Sequence, residues 1–442
     1  MAITFAQRLP LFPETARVTS NNQLTLGGLN ATDLAAEFGT PLYVYDEATL
    51  RGQCEGFKRE FGSRYPDVRV SYASKAFMVR PLAKLLKEEG LGLDVVSGGE
   101  LAVAMGVAFP KGGVYFHGNN KGADELEMAL EWRVGRVVVD NFHELLLLNA
   151  LAGEAHVNQE VLLRVSPGVD PHTHSHTTTG ILDSKFGFAL ANGQAEEAVK
   201  QASKLANLRV VGLHCHLGSP IFELEPFIQG IEVMIGFAAE MTQRHRLQIQ
   251  EFSPGGGFAI QYVMEKPAPA IAEYAETITG ALKKACADFG LDLPRLVIEP
   301  GRSIVGRAGV ALYTVGATKD IPGVRKYVSV DGGMGDNIRP AIYGAQYEAL
   351  VANRVESEAV EKVTIAGKYC ESGDILIKDI ALPALRSGDV IAIPASGAYC
   401  VPMSSNYNAA PRPPIVLVSN GDVRLWRRRE TYSDLMQYDA EG

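Results

Sequence analysis

The chain has 442 residues and a net charge of −9, with 46% hydrophobic and 21% charged residues. This length predicts two or three globular domains, and the negative charge argues against a general nucleic-acid-binding or anionic-membrane-binding surface. The five cysteines are widely spaced without a CxxC pair, so neither a disulfide framework nor a zinc site is predicted, and we expect a cytoplasmic protein. No apolar run approaches the ~20 residues that cross a membrane, and the N-terminus lacks the features of a signal peptide.

The first 45 residues predict a small N-terminal segment. Leu24–Leu26 predicts a short strand, and Ala31–Phe38 predicts a helix that ends at Gly39. Leu42–Tyr45 predicts a second strand, after which Asp46 is expected to cap the next helix. We expect residues 1–45 to pack with a C-terminal β-domain.

A regular alternation of strands and helices begins at Val68. The predicted strands are Val68–Tyr72, Leu93–Val96, Val114–His117, Arg136–Asp140, Val161–Val165, Arg209–His214, Ile249–Phe252 and Leu296–Glu299. Amphipathic helices are predicted between them, for example at Leu82–Glu89, Ala123–Trp132, Phe142–Ala152, Glu223–Arg244 and Ala270–Phe289. Eight strands alternating with helices favour parallel pairing, so a (β/α)8 TIM barrel is predicted for residues 46–305. An open doubly wound sheet is the alternative, although no GxGxxG motif opens the first unit.

After Arg302 the pattern changes to short strands separated by Gly and Pro turns. These strands are predicted at Val310–Thr314, Lys326–Val330, Val363–Ala366, Val390–Pro394, Ile415–Val418 and Val423–Arg427. Few helical patterns occur here, so residues 306–442 are predicted to form an antiparallel β-domain.

The first predicted barrel strand ends at Lys75, at the end of the barrel where active sites of this fold lie. An amine at the end of a buried strand is costly unless it is paired, neutralised or used covalently. Lys75 is therefore either a surface lysine in a loop or a Schiff-base lysine that holds pyridoxal phosphate. Polar or glycine residues follow the other seven strands as well: Asp94, His117, Asp140, Arg164, His214-Cys-His-Leu-Gly-Ser219, Pro254-Gly-Gly-Gly257 and Glu299-Pro-Gly-Arg302.

Several of these residues suit the parts of such a cofactor. Gly255–Gly257 can bring backbone N–H groups close to a phosphate, or form a plain turn, and Ser219 can add a hydroxyl. His216 can lie against a flat ring, or be an ordinary core histidine. Glu299 can pair with a pyridinium nitrogen and make the ring a strong electron sink, or form an ion pair with Arg302.

Further motifs run through both predicted domains: Tyr72-Ala-Ser-Lys-Ala-Phe77, Leu93-Asp-Val-Val-Ser-Gly-Gly-Glu100, His172-Thr-His174, Asp183-Ser-Lys-Phe-Gly187, His214-Cys-His-Leu-Gly-Ser219, Glu299-Pro-Gly-Arg302, Asp336-Asn-Ile-Arg-Pro340, Cys370-Glu-Ser-Gly-Asp374, Gly397-Ala-Tyr399 and Ser404-Ser-Asn-Tyr-Asn408. From about Leu42 onward their order and spacing resemble the fold type III, alanine-racemase-type group of pyridoxal phosphate enzymes. Within that group they are most similar to the diaminopimelate decarboxylase family.

The resemblance implies a homodimeric carboxy-lyase that converts meso-2,6-diaminopimelate into L-lysine and CO2, the last step of lysine biosynthesis. Lys75 would carry pyridoxal phosphate covalently, His216 would stack on its ring, and Glu299 would hold its nitrogen. The other implied cofactor-binding residues are Asp94, Ser219, Gly255, Gly256, Gly257, Gly301, Arg302 and Tyr399. No metal is implied.

The resemblance also implies the substrate contacts. Arg302, Arg339 and Tyr343 would hold the far carboxylate, with Tyr399 as a further contact. Glu371 would hold the far amine, and Cys370 would return a proton after CO2 leaves. Because the Cys370 segment reaches the partner's active site in such enzymes, two composite sites in a head-to-tail homodimer are expected.

Three other functions stay open. The same scaffold can serve a decarboxylase for D-lysine, D-ornithine, arginine or a polyamine precursor. A racemase would place an arginine at the pyridine nitrogen, where Glu299 is expected instead. A catalytically inactive, partner-binding regulator would have lost Lys75 or Cys370, and both are present.

Two positions depart from the family pattern, and one histidine cluster invites a different interpretation. Ser253-Pro254 replaces an acidic residue before the glycine loop, and Pro220 replaces a glutamine after Ser219. His172, His174 and His176 would share one face of a strand and could bind a metal. The surrounding Thr and Gly residues favour a mobile loop instead.

Overall fold

The computed structural model describes residues 5–170 and 184–440. The strands, in chain order, are β1 Arg17–Val18, β2 Leu24–Leu26, β3 Leu29–Asn30, β4 Leu42–Asp46, β5 Val68–Ala73, β6 Gly92–Val95, β7 Val114–Phe116, β8 Arg136–Val139, β9 Gln159–Ser166, β10 Phe188–Ala189, β11 Leu208–His214, β12 Glu251–Gly255, β13 Arg295–Ile298, β14 Gly309–Ile321, β15 Arg325–Val330, β16 Leu350–Val351, β17 Glu361–Ala366, β18 Ile375–Leu382, β19 Val390–Ile393, β20 Ile415–Ser419 and β21 Asp422–Arg427. The helices are α1 Phe5–Arg8, α2 Ala31–Phe38, α3 Glu47–Gly62, α4 Arg80–Glu88, α5 Gly98–Gly106, α6 Ala123–Trp132, α7 Phe142–Glu154, α8 Gln194–Ala202, α9 Glu225–His245, α10 Ile271–Phe289, α11 Arg302–Val305, α12 Arg339–Tyr343 and α13 Tyr432–Met436.

The described chain folds into two compact units. The barrel unit comprises Gln53–Ala259 and Pro269–Gly301, and the β unit comprises Met1–Gly52, Ile260–Ala268 and Arg302–Gly442, in each case as far as those residues are described. The β unit therefore takes a short stretch, Ile260–Ala268, from the middle of the barrel sequence. The predicted histidine cluster of His172, His174 and His176 lies outside the described residues.

The barrel unit is a closed parallel sheet of eight strands in the order β9-β11-β12-β13-β5-β6-β7-β8, and β8 pairs with β9 to close it. The short strand β10 adds to β9 in parallel. Helices follow the strands because the βα turns supply their N-caps: the side chain of Ser97 accepts from Glu100 N–H and that of Asn141 accepts from Glu144 N–H. Tyr115, Val138, Leu162, Val211 and Val297 form a buried core cluster of this unit.

The β unit is a mixed sheet in which β4 lies between β14 and β20, two strands that are distant from it in sequence. Its strand order is β18-β17-β15-β14-β4-β20-β21, and β19 pairs with β14 and β16. Most pairs are antiparallel, whereas β15–β17 and β4–β20 are parallel. All five residues of β4 are buried. Separately, β1, β2 and β3 form a three-stranded sheet.

The predicted fold class, a parallel eight-stranded barrel with a separate β-rich domain, is confirmed. Asp46 caps the third helix as expected, since its carboxylate accepts from the backbone N–H of Thr49 at 2.9 Å. No helix in the described ranges combines the length and the apolar character that crossing a bilayer requires.

Candidate active site

Lys75 lies in the turn that directly follows β5, and its side chain is exposed. The backbone there is fixed on both sides of the lysine. The hydroxyl of Tyr72 donates to the carbonyl of Phe77 at 2.7 Å, and Ala73 N–H donates to the carbonyl of Pro300 at 3.1 Å. A Cβ on Gly301 would lie only 3.0 Å from atoms of Ala73, so glycine permits this close approach of two strand ends. The amine is thus exposed on a backbone that is held on both sides.

Glu299 is the buried carboxylate at the end of β13. The Ser253 hydroxyl donates to its Oε1 at 2.8 Å, and His214 Nε2 lies 3.1 Å from its Oε2. His117 Nε2 lies 3.7 Å from Oε1. Burial alone would raise the pKa of Glu299, but the two histidines and the hydrogen bonds from His214 and Ser253 hold that pKa well below its usual range. Glu299 is therefore ionised at neutral pH.

The three side chains His117, His214 and Glu299 also have a spacing found among metal ligands. Their ligand atoms lie within 4.8 Å of one another. The carboxylate already has hydrogen-bond partners on both oxygens without a metal. The arrangement is thus equally that of an anion held by neighbouring donors.

Asp94 and His117 are neighbours with unused polar atoms. Asp94 Oδ1 and His117 Nε2 are 3.5 Å apart, both side chains are buried, and neither atom has a hydrogen-bond partner in the described chain. Burial, and then the charge of Glu299, raises the pKa of Asp94 well above its usual value, while burial lowers the pKa of His117. Burial thus favours the uncharged form of each group. Buried polar atoms without partners are rare and commonly mark a ligand position.

The glycine loop after β12 packs closely against its neighbours. Gly255 and Gly257 have φ angles of +80° and +101°, which favour glycine. A Cβ on Gly256 would collide with the carbonyl oxygen of Glu299, and one on Gly257 would lie 2.5 Å from that of Gly218. Only a chain without side chains fits here, as in a phosphate-binding loop.

His216 is tied to this loop, because Gly256 N–H donates to its Nδ1 at 3.3 Å. Burial, and then the positive charge of Lys75, lowers the pKa of His216 well below its usual value. The ring is therefore neutral. Ser219 follows on the same loop, which is joined to the glycines by Ile221 N–H donating to the carbonyl of Gly257 at 2.8 Å.

Two buried ion pairs hold the next strand ends in place. The Lys121 ammonium donates to Glu144 at 2.6 Å and to the carbonyls of Gly118 and Val138 at 2.8 Å each. Arg164 Nε lies 3.8 Å from Asp140 Oδ1. These contacts fix the ends of β7, β8 and β9, although none of the four charged residues was predicted to bind a ligand.

In the β unit, two buried arginines lie against tyrosine rings. Arg302 donates to the hydroxyl of Tyr262 at 2.7 Å, and its guanidinium lies 4.7 Å from the ring centre of Tyr399. Arg339 donates to the hydroxyl of Tyr347, and its guanidinium lies 4.7 Å from the ring centre of Tyr262. Tyr343 ends the short helix α12 that Arg339 begins.

Cys370 and Glu371 are exposed at the tip of a well-held loop. Cys370 N–H donates to the side-chain oxygen of Asn408 at 2.9 Å. The buried carboxylate of Asp374 accepts from the backbone N–H groups of Met334 at 2.6 Å and Tyr369 at 2.8 Å. The thiol and the carboxylate are thus presented outward on a fixed backbone.

The structure places the predicted site residues in two groups, one in each unit. The barrel strand ends carry Lys75, Asp94, His216, Ser219, Gly255, Gly256, Gly257, Glu299 and Gly301. The β unit carries Arg302, Arg339, Tyr343, Cys370, Glu371 and Tyr399. Sequence reasoning missed Ser253, Tyr262 and Tyr347 as site residues. Ser253 had a signal, since it departs from the acidic residue of the family pattern, whereas no spacing rule indicated the two tyrosines.

Comparisons with known proteins show the family to which the chain belongs. The family model described as "Pyridoxal-dependent decarboxylase, pyridoxal binding domain" matches residues 47–306. The diaminopimelate decarboxylase of Bacillus subtilis (strain 168) is 48% identical over 425 residues, which cover 96% of this chain and 97% of that protein. The structure of diaminopimelate decarboxylase from M. jannaschii in complex with L-lysine has a TM-score of 0.91 and 36% identity over 97% of this chain and 98% of that one. The corresponding Helicobacter pylori structure with L-lysine has a TM-score of 0.84 and 31% identity over 92% and 98% of the two chains.

Proposed function

Because the chain belongs to the diaminopimelate decarboxylase family of pyridoxal-dependent decarboxylases, we propose that it removes the carboxylate at the D-centre of meso-2,6-diaminopimelate and releases L-lysine and CO2. The observation that carries this proposal is the ionised Glu299, held by Ser253 and His214 at the same barrel end as Lys75. A negative group in that position suits a protonated pyridine ring.

The barrel group fits pyridoxal phosphate on three observations. Lys75 offers an exposed amine, the glycine loop offers a tight backbone cradle, and Asp94 and His117 have unused buried polar atoms. When bound, the cofactor supplies an electron sink for the bond that breaks. Lys75 would hold it covalently, and Ser219 with Gly255–Gly257 would bind its phosphate.

Glu299 and His216 would set the electronic state of the ring. The low pKa of Glu299 keeps a negative charge available to hold the proton on the ring nitrogen. His216 is neutral and fixed by Gly256, so it can lie against the ring without adding a positive charge. A carboxylate here favours decarboxylation, whereas an arginine would favour racemisation by leaving the ring less electron-withdrawing.

The β unit would bind the substrate. Arg302 and Arg339 would hold the carboxylate that is not removed, because planar guanidinium groups match a carboxylate in a bidentate way. Tyr343 and Tyr399 would complete that contact, and Glu371 would hold the far amine. Cys370 would deliver a proton to the reacting carbon, and its exposed thiol is compatible with that role.

The proposal includes a homodimer in which Cys370 and Glu371 act in the partner's site. Their exposure at the tip of a fixed loop supports this arrangement. Mixing inactive Lys75→Ala and Cys370→Ala proteins and allowing the subunits to exchange should restore about a quarter of the wild-type activity, because half of the dimers then contain one intact composite site. Restoration of none, with exchange shown by differently tagged subunits, would contradict shared sites.

The central experiment measures CO2 release from meso-diaminopimelate. Lys75→Ala should abolish it, while Lys284→Ala, which alters a lysine with a 74% exposed side chain, should not. Borohydride should fix the cofactor to the wild-type chain and to the Lys284 variant, as a mass increase, but not to the Lys75 variant. Equal CO2 release by the Lys75 variant would refute the assignment.

The substrate range separates the proposal from its alternative. Wild-type protein should prefer meso-diaminopimelate over D-lysine, because only the former has a second carboxylate for the two arginines. Comparable rates on both would favour a decarboxylase of another basic amino acid. A cytoplasmic location is part of the same proposal and is supported by the five cysteines, all of them free thiols.

A further inference from the structure

Two buried arginines share one tyrosine ring in the β unit. The Arg302 guanidinium lies 5.8 Å from the centre of the Tyr262 ring and also donates to its hydroxyl. The Arg339 guanidinium lies 4.7 Å from the centre of the same ring. A single side chain thus contacts both positive groups.

Arg339 has an unusual environment for a buried charge. It is 6% exposed, and across residues 5–170 and 184–440 no carboxylate forms an ion pair with it. Its contacts are the hydroxyl of Tyr347 and the rings of Tyr262 and Tyr347. A buried cation is costly unless it is paired. The Arg339 guanidinium is therefore suited to bind an anion that the described chain does not supply.

Tyr262 can hold two like charges near one anion site for clear physical reasons. The negative face of its ring attracts each guanidinium, and its hydroxyl accepts a charge-assisted hydrogen bond from Arg302. The ring also packs edge-on against Tyr347, with ring centres 5.5 Å apart, so its own position is fixed. Tyr262 belongs to Ile260–Ala268, the stretch that enters the β unit just after the glycine loop.

We propose that Tyr262 is a positioning residue that aligns the forks of Arg302 and Arg339 and thereby selects substrates with a second carboxylate. This inference rests on the proposed function, in which those arginines bind the far carboxylate of a diamino diacid. Tyr262 acts through the arginines, so its effect appears only with ligands that carry that carboxylate.

The test compares ligands with and without the carboxylate in the holoenzyme. Tyr262→Phe should reduce kcat/KM for meso-diaminopimelate by about tenfold, mainly through KM, because a charge-assisted hydrogen bond is lost. The kcat/KM for D-lysine should stay within about twofold. Binding is measured separately by calorimetry: the variant should bind L-lysine about tenfold more weakly and cadaverine, which has no carboxylate, unchanged.

Tyr65→Phe is the matched control, since it removes a buried hydroxyl that donates to the carbonyl of Pro294 in the barrel unit. It should leave unchanged the ratio of kcat/KM for meso-diaminopimelate to that for D-lysine. The ratio of the affinities for L-lysine and cadaverine should also stay the same. If Tyr262→Phe does not fold, Tyr347→Phe removes the hydroxyl that accepts a hydrogen bond from Arg339. It should give the same selective loss. Equal losses for ligands with and without the carboxylate would overturn the proposal. If wild-type protein releases no CO2, the proposed reaction fails, while the L-lysine and cadaverine affinities still decide the role of Tyr262.

Discussion

Replacing Ser253 by alanine removes the hydroxyl that links the carboxylate of Glu299 to the glycine loop. That hydroxyl donates to Glu299 at 2.8 Å and accepts from Gly255 N–H at 3.1 Å. Ser253 is fully buried, at 0% exposure, so water cannot take its place without rearrangement. A hydrogen bond to a charged group contributes about 1.5–3 kcal/mol, and an unpaired buried N–H costs about 1–3 kcal/mol. Because such terms are not additive, we expect a loss of about 3 kcal/mol in the free energy of unfolding.

Ser71→Ala is the matched control, since Ser71 is equally buried in β5 and its hydroxyl has no hydrogen-bond partner in the described chain. It should be nearly neutral. Unfolding in urea is followed in cofactor-free protein by the fluorescence of Trp132, which lies in the barrel unit. The Trp426→Phe background removes the only other tryptophan. A single tryptophan is needed because fluorescence from both units would mix two unfolding transitions.

The same substitution should weaken cofactor binding. Without the Ser253 hydroxyl, the negative form of Glu299 loses a donor, so the pKa of Glu299 rises toward its usual value. The dissociation constant of pyridoxal phosphate, measured by titrating the cofactor-free protein, should then increase. A Ser253→Ala protein with the unfolding free energy and cofactor affinity of the Ser71→Ala control would refute the structural role assigned to this hydroxyl.

Two further substitutions test buried charges in each unit. Glu144→Gln leaves the Lys121 ammonium, whose side chain is 1% exposed, without its carboxylate. The free energy of unfolding of the barrel unit, followed by Trp132 fluorescence, should fall by about 3–5 kcal/mol and recover in part in Lys121→Met/Glu144→Gln. A loss under about 1 kcal/mol would contradict a buried ion pair. Burial raises the pKa of Asp336 from 3.8 to about 6, so the folded chain retains a proton that the unfolded chain loses between those values. Stability from Asp336, present below pH 3.8, should therefore decline by about 3 kcal/mol as pH rises through 6. Asp336→Asn should flatten this part of the pH profile, and an unchanged profile would show that Asp336 does not titrate there.

The barrel was predictable because its strands alternate regularly with amphipathic helices. All eight predicted strands overlap observed ones, and Ala123–Trp132 is observed with the predicted bounds. The bounds of two other barrel helices, α5 and α8, were not predicted, for local reasons. α8 carries mostly polar residues and alanine, and α5 begins with two glycines that suggest a turn. Their helical form depends on packing and, in α5, on the cap from Ser97.

The β unit shows where sequence patterns stop being informative. β18, at Ile375–Leu382, was not predicted because its apolar residues do not alternate strictly with polar ones, and a residue with positive φ, Asp379, interrupts it. The parallel pairing of β4 with β20 joins residues about 370 positions apart, which no local pattern encodes. The prediction of an antiparallel β-domain therefore did not include this parallel pair.

Some residues of the candidate site could be predicted from the sequence, and others could not. Residues at the ends of barrel strands could be identified because the fold fixes where strand ends meet. Tyr262 could not, since it belongs to a stretch that leaves the barrel sequence to join the β unit. The network around Glu299 was also beyond reach, because Ser253 and His214 become its partners only once β11, β12 and β13 are adjacent.

The position of β4 has a consequence for synthesis on the ribosome. This strand, Leu42–Asp46, emerges early, but its two neighbours begin at Gly309 and Ile415. At bacterial-like elongation rates of ~5–20 residues per second, the growing polypeptide waits roughly 20–80 s for β20 to be made. Both edges of this apolar strand are unpaired until β14 is made, and one edge stays unpaired until β20 follows, so the strand is open to wrong partners, including the same strand of a neighbouring nascent chain. Chaperone demand in the cell should therefore depend on how fast the last hundred codons are translated.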